Sequence, residues 1–255
     1  MEKIIDGLKI EYNDMGQGDA VFLLHGWASN KELYDSVCRT LSEKYRTIAF
    51  DLPGMGGSDE PPEAWNVDRF ADLCIRFIES FNEKKVILLG HSYGGRVIIK
   101  TAVRESLPFE ISKIILVDSA GIMPRRGISY KLRVGTYKLS KKLFSLPPVK
   151  KLFPNAVENS RKKNGSADYA AASPVMRGCL VKAVNEDLTP LLPLVKQETL
   201  LIWGTADTAT PITDGEKMES SMPNAGLAKI NGAGHFSWLD NPPLFDAIIR
   251  SFLGI

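Results

Sequence analysis

Residues 86–96 read VILLGHSYGGR, and this stretch decides how the rest of the chain is read. Apolar residues run into Gly90-His91-Ser92-Tyr93-Gly94-Gly95, which sets one serine among glycines where a strand gives way to a helix. Two readings compete: a nucleophile held at a sharp turn, or a Gly-rich connection and nothing more. A serine hydroxyl is a poor nucleophile at neutral pH. The first reading therefore needs a base to take its proton and an acid to orient that base.

Working outward, short apolar runs recur at 20–26, 47–54, 85–90, 113–120, 199–204 and 226–230. Helical patterns lie between them at 30–44, with Asn30 as the expected N-cap, and at 67–81 and 95–105. A last helix is expected over 244–253, introduced by Pro242 and Pro243. Apolar strands alternating with helices predict an α/β fold, a mostly parallel sheet of about eight strands covered on both faces. The opening 4–16 alternates and turns, which predicts an antiparallel hairpin at one sheet edge. The rhythm breaks after the sixth strand. There Leu132, Leu139, Leu143 and Leu146 recur at helical spacing among lysines, and Pro147, Pro148 and Pro154 divide the segment. The expected organisation is a core of residues 1–120 and 186–255 with a helical, basic cap at 121–185.

Composition narrows the classes. The chain has 255 residues, 44% hydrophobic and 24% charged, ordinary for a globular protein. No apolar run at the N-terminus suits a signal peptide and none elsewhere suits a membrane span, so a cytoplasmic protein without stable membrane insertion is expected. Cys38, Cys74 and Cys179 are odd in number and widely spaced, as for reduced thiols rather than a disulfide framework. The three histidines lack metal-ligand spacing, so no metal and no cofactor are expected. The net charge of +2 conceals an asymmetry. Residues 122–163 hold twelve basic side chains and one acid, net +11, against −9 for the remainder. That segment reads as a solvated helical face, as a positive field drawing anionic substrates or lipid head groups, or as a surface docked on the acidic body. No recognition motif accompanies the charge, so nucleic acid is not an expected partner.

In an open parallel sheet, functional groups gather at the carboxyl ends of strands. His25 and Trp27 follow the first apolar run, Asp51 the second and Ser92 the third. Asp118 ends the fourth, Asp207 lies past the fifth, and His235 follows the sixth. Ser92, Asp207 and His235 can fill the roles of nucleophile, acid and base. Gly90 and Gly94 clear the space that a sharp strand-to-helix turn requires. That turn also sets Ser92 at a helix N-terminus, where free N–H groups favour an oxyanion.

With these residues in view the chain resembles the α/β-hydrolase family. Gly90-His91-Ser92-Tyr93-Gly94 matches its G-x-S-x-G elbow, and His25-Gly26-Trp27 its HGx oxyanion segment. Asp51, Gly54, Gly56 and Ser58 match its D-x-x-G-x-G-x-S turn, while Asp207 and His235 stand where the family carries its acid and base. The resemblance implies a serine hydrolase acting on a small acyl ester, with Ser92 as nucleophile, His235 as base and Asp207 as acid. It also implies an oxyanion hole from the backbone N–H groups of Trp27 and Tyr93. Asp118 is the alternative acid, because some lipases of this fold carry theirs at that strand end.

Trp27, Tyr93, Phe236 and Trp238 suggest a pocket for a hydrophobic or aromatic acyl group. The basic cap adds anionic substrates and peripheral lipid contact to what the site can meet. Serine at position 92 argues against relatives that use an aspartate nucleophile. H-S-Y-G-G at the elbow, with Phe236 directly after His235, weighs against C–C bond hydrolysis, which stays as a rival alongside a ligand-binding protein that keeps the same residues. Around the site, His25 is expected to hold the oxyanion loop, Asp51 its own glycine turn, and Asp214 the N-terminus of a 215–221 helix. His91 stands between a site residue and a structural one, and Arg96 is expected to be a surface or packing residue.

Overall fold

The computed structural model describes residues 1–123, 135–136 and 167–255. The Leu132, Leu139, Leu143 and Leu146 stripe, its prolines and nearly all of the basic side chains of the expected cap lie outside the described residues. The described part holds one eight-stranded sheet: β1 (Glu2–Ile5), β2 (Leu8–Gly16), β3 (Ala20–Leu24), β4 (Arg46–Phe50), β5 (Lys85–His91), β6 (Glu110–Val117), β7 (Glu198–Gly204) and β8 (Ala225–Ile230). Their spatial order is β1-β2-β4-β3-β5-β6-β7-β8. Strands β3 to β8 pair in parallel, while β1 and β2 form the expected antiparallel hairpin, with Tyr12 opposite Phe50 where it joins β4.

That order follows from burial. β3 (AVFLL) is buried at every residue, so it needs cover on both faces and neighbours on both sides. One covering layer includes α2 (Val67–Glu79) and α3 (Tyr93–Ala102); the other includes α1 (Asp35–Leu41) and α8 (Pro242–Leu253). α2 turns Val67, Phe70, Ala71, Cys74, Phe77 and Ile78 inward, and Phe77 stacks on Phe50 of β4 with ring centroids 4.4 Å apart. The Asn66 side chain caps α2 by accepting from Arg69 N. α8 begins two residues earlier than expected, with both prolines in its first turn, Asn241 capping it, and Gly254 closing it at φ 69°.

Three further expectations at helix starts differ. The 30–44 helix is a 3-10 turn over Lys31–Tyr34 followed by the short α1. Asn30 makes no capping bond; Lys31 N donates instead to Asp51 Oδ1 at 2.7 Å, an acceptor brought from the end of another strand. α3 starts at Tyr93, directly behind Ser92, rather than at Gly95. Asp214 lies inside the first turn of α6 (Ile212–Ser221), whose N-cap is Pro211, so it does not cap that helix.

Of the expected cap, α4 (Ala167–Ala171) and α5 (Pro174–Val184) are described. Ser173 caps α5, Met176 packs against Gly54, and the Cys179 thiol accepts from Trp65 N at 3.1 Å. α5 thus rests on the loop after β4 and closes over the carboxyl ends of the strands. The chain moves from β3 to β4 on one side and then crosses to β5 on the other. This reversal opens a crevice between the ends of β3 and β5.

Candidate active site

Ser92 occupies that crevice. Its backbone sits at φ 50°, ψ −111°, a region costly for a residue with a Cβ. Strand and helix hold it there: Ser92 N donates to Val117 O, while Gly95 N and Ala120 N both donate to Ser92 O. A Cβ on Gly94 would lie 2.1 Å from Leu24 O, and one on Gly90 would lie 2.8 Å from the Gly94 carbonyl carbon. The two glycines let β3, β5 and α3 converge on one point. The backbone N–H groups of Trp27 and Tyr93 have no acceptor among the described residues, and the first turn of a helix supplies none for Tyr93. The two rings pack edge to face with centroids 5.1 Å apart, which sets the two segments side by side.

His235 and Asp207 complete a chain of hydrogen bonds. Ser92 Oγ donates to His235 Nε2 at 3.0 Å, and His235 Nδ1 donates to Asp207 Oδ2 at 2.8 Å. Asp207 Oδ1 accepts from Ala209 N and Thr210 N. Burial pushes the Asp207 carboxyl up, but the bonds from His235 and Thr210 outweigh it and hold its pKa below the ordinary carboxylate value. The acid is therefore ionised and keeps the imidazole proton on Nδ1, leaving Nε2 free to take a proton from the serine.

The other candidate acid, Asp118, is fully buried and does not reach His235 by a hydrogen bond. Its carboxylate accepts from Gly204 N at 2.8 Å and from Ser237 N at 3.1 Å. One side chain thus ties down the loop that carries Asp207 and the segment that carries His235. Desolvation raises its pKa, opposed by those same bonds. Thr210 had no expected role, yet its hydroxyl lies 2.7 Å from Asp207 Oδ2, 3.0 Å from Asp118 O and 3.2 Å from His235 Nδ1. The readable signal was its place three residues after an acid, where a hydroxyl and an N–H can both return to the carboxylate.

Around this chain the histidines separate. His25 is buried and neutral: Nδ1 donates to Gly26 O at 2.7 Å and Nε2 accepts from Leu52 N at 3.0 Å, which fixes the segment preceding Trp27 as expected. Desolvation lowers its pKa. Asp51 holds its own turn by accepting from Gly57 N, and it also binds buried Lys31 at 2.9 Å. His91 lies beneath the site, its Nε2 donating to His235 O at 2.7 Å. Burial, reinforced by neighbouring His235, holds its pKa down at about 3.

A pocket of about 690 Å³ opens above Ser92, lined in part by Trp27, Tyr93, Phe236, Leu180, Val184 and Arg96. One expectation changes here and another is sharpened. Trp238, expected in the pocket, is 2% exposed and lies in the core; it stacks on Tyr34 and packs behind His91, because its indole N–H is held by Leu33 O. Arg96, expected at the surface or in packing, is 5% exposed and lines the pocket, with Nη1 donating to Glu186 O at 2.8 Å. Arg96 lies in the first turn of α3, just behind Ser92, and both residues line the same pocket.

Strand order, elbow and pocket define a hydrolase architecture. The model of the Alpha/beta hydrolase family matches residues 21–247, and the chain belongs to that family. Among its relatives, 2-hydroxy-6-oxo-6-phenylhexa-2,4-dienoate hydrolase of Burkholderia cepacia is 25% identical, over 99% of this chain and 93% of that one. YugF of Bacillus subtilis, an uncharacterized hydrolase, is 26% identical over 98% and 96%. Among solved structures, an esterase from Exiguobacterium antarcticum superposes with a TM-score of 0.76 at 25% identity, covering 100% of this chain and 99% of the other. The chain is a hydrolase of the α/β-hydrolase fold. Among the described residues no helix is long and apolar enough to cross a membrane.

Proposed function

We propose that the protein is a serine hydrolase cleaving a carboxylic ester or related acyl bond of a small molecule. The observation that carries this reading is the continuous Ser92–His235–Asp207 chain, with hydrogen bonds of 3.0 and 2.8 Å. Ser92 Oγ attacks the carbonyl carbon as its proton passes to His235 Nε2. The resulting oxyanion takes hydrogen bonds from Trp27 N and Tyr93 N, which have no other acceptor among the described residues. His235 then gives that proton to the departing alkoxide, leaving Ser92 acylated. A water, deprotonated by His235, attacks the acyl carbon, and the proton returns to Ser92 as the acid leaves. Three buried free thiols fit a reducing compartment, and the cytoplasm is the proposed location.

A second reading, hydrolysis of a C–C bond beside a carbonyl, draws on the Burkholderia cepacia relative and uses the same groups. Short p-nitrophenyl esters separate the two. Wild type is expected to turn them over, and Ser92→Ala to lose about 10³-fold or more in kcat. Ester turnover that survives Ser92→Ala overturns the proposal. Labelling of Ser92 by a fluorophosphonate without ester turnover favours the C–C reading.

A further inference from the structure

The least explained group in the pocket is Arg96. Nine-tenths and more of its side chain is buried, and its one hydrogen bond among the described residues goes from Nη1 to a backbone carbonyl, Glu186 O. No carboxylate among the described residues comes within ion-pairing distance. The nearby acids are engaged elsewhere or set back: Glu186 binds Lys100 at 2.5 Å, and Asp187 accepts from Thr189 and Met123 N. Asp214 contributes only through space, and burial raises its pKa. A guanidinium removed from water without an ion-pair partner is expensive, so its retention calls for a compensating group. Nε and Nη2 have no partner among the described residues, yet neither is sealed from solvent. These two atoms form the edge of the guanidinium that offers parallel N–H donors, the geometry a carboxylate accepts with both oxygens. Arg96 lines the pocket that also holds Ser92, one turn into the helix that follows the serine.

We infer that the substrate carries a carboxylate a short chain away from the scissile carbonyl, and that Arg96 is the residue that binds it. The inference rests on the hydrolase reading above and adds the substrate class. The apolar lining from Leu180, Val184 and Phe236 holds the intervening carbon skeleton, and the buried cation selects among skeletons by their charge.

The test uses matched pairs. Mono-p-nitrophenyl glutarate against p-nitrophenyl pentanoate places the charge on the acyl side; 4-acetoxybenzoate against phenyl acetate places it on the leaving group. For wild type, one charged probe is expected to exceed its neutral match about tenfold in kcat/KM, chiefly through KM. In Arg96→Met that ratio is expected to fall to about one, and Arg96→Lys to recover only part of it, since lysine keeps the charge and loses the fork. A strut that merely fastens α3 to Glu186 would lower both members of a pair alike and leave the ratio standing, which overturns the inference. A ratio near one in wild type for both pairs also overturns it. Ligand-observed NMR on Ser92→Ala keeps the question separate from turnover. Monomethyl glutarate is expected to bind about tenfold more tightly than methyl pentanoate, and adding Arg96→Met to erase the difference. If wild type hydrolyses none of the esters, the ester reading fails while the NMR comparison still decides for or against the carboxylate.

Discussion

Asp118 and Asp207 are chemically the same side chain at the ends of adjacent parallel strands or just beyond, and their hydrogen bonds separate them. Asp207 points its Oδ2 at His235, whereas Asp118 spends both oxygens on backbone N–H groups. Asp207→Asn is therefore expected to lower kcat by about 10³–10⁴-fold with little change in melting temperature, because an amide cannot hold the imidazole in its working tautomer. Asp118→Asn is expected to cost about 1–3 kcal/mol of stability by turning an amide N–H against one of its two donors, with a smaller loss of activity. Calorimetry and steady-state assays on the same two proteins decide this, and the reverse ranking would transfer the acid role. Ser92, Asp207 and His235 were legible in the sequence because each stands at or near a strand end, where local pattern and position coincide. Thr210 and Arg96 were not. Thr210's role depends on Asp118, ninety-two positions earlier, and Arg96 is buried with its hydrogen bond on Glu186 O, ninety positions later.

Among the elements, the elbow is where β3, β5 and α3 approach most closely. Gly94→Ala introduces a methyl group 2.1 Å from Leu24 O, a backbone atom in the middle of the sheet that cannot step aside. It is expected to destabilise the fold by about 2–3 kcal/mol and to reduce activity further by displacing Ser92, read as a shift of the urea midpoint at unchanged m-value. Strand positions were legible throughout, since continuous apolar runs of five to eight residues have few other uses. Helix starts were less so. The Asn30 reading assumed a local cap, but the acceptor at that turn is Asp51, twenty residues away. No local rule reports a partner supplied by the fold. The Trp238 reading failed for a related reason: nearness in sequence to His235 placed it at the site, while α7 (Ser237–Asp240) turns it into the core against Tyr34.

Across the whole molecule, acid sensitivity is built into the neutral buried histidines. His91 has a pKa of about 3 in the fold and about 6.5 when unfolded, so between those values the unfolded chain binds the extra proton. Its contribution is intact above pH 6.5 and declines as pH falls toward 3, with a slope of about 1.4 kcal/mol per pH unit. His25 acts in the same direction. Melting temperatures from pH 7 to pH 4 are expected to fall along this slope and, in His91→Gln, to fall less steeply; an unchanged slope would remove His91 as the cause. The α/β class and the antiparallel edge follow from sequence periodicity, but the strand order that opens the crevice between β3 and β5 is set by long-range pairing that no periodicity reports, and the charge asymmetry of 122–163 is visible in composition alone. The hydrogen bond between Ser92 and His235 spans 143 residues. During synthesis, the serine emerges from the ribosome long before its base does, and the last strand must be in place before the two can meet. On the proposed mechanism the nascent chain has no nucleophile–base pair for most of its translation, and hydrolysis waits until His235 has been made and folded into place.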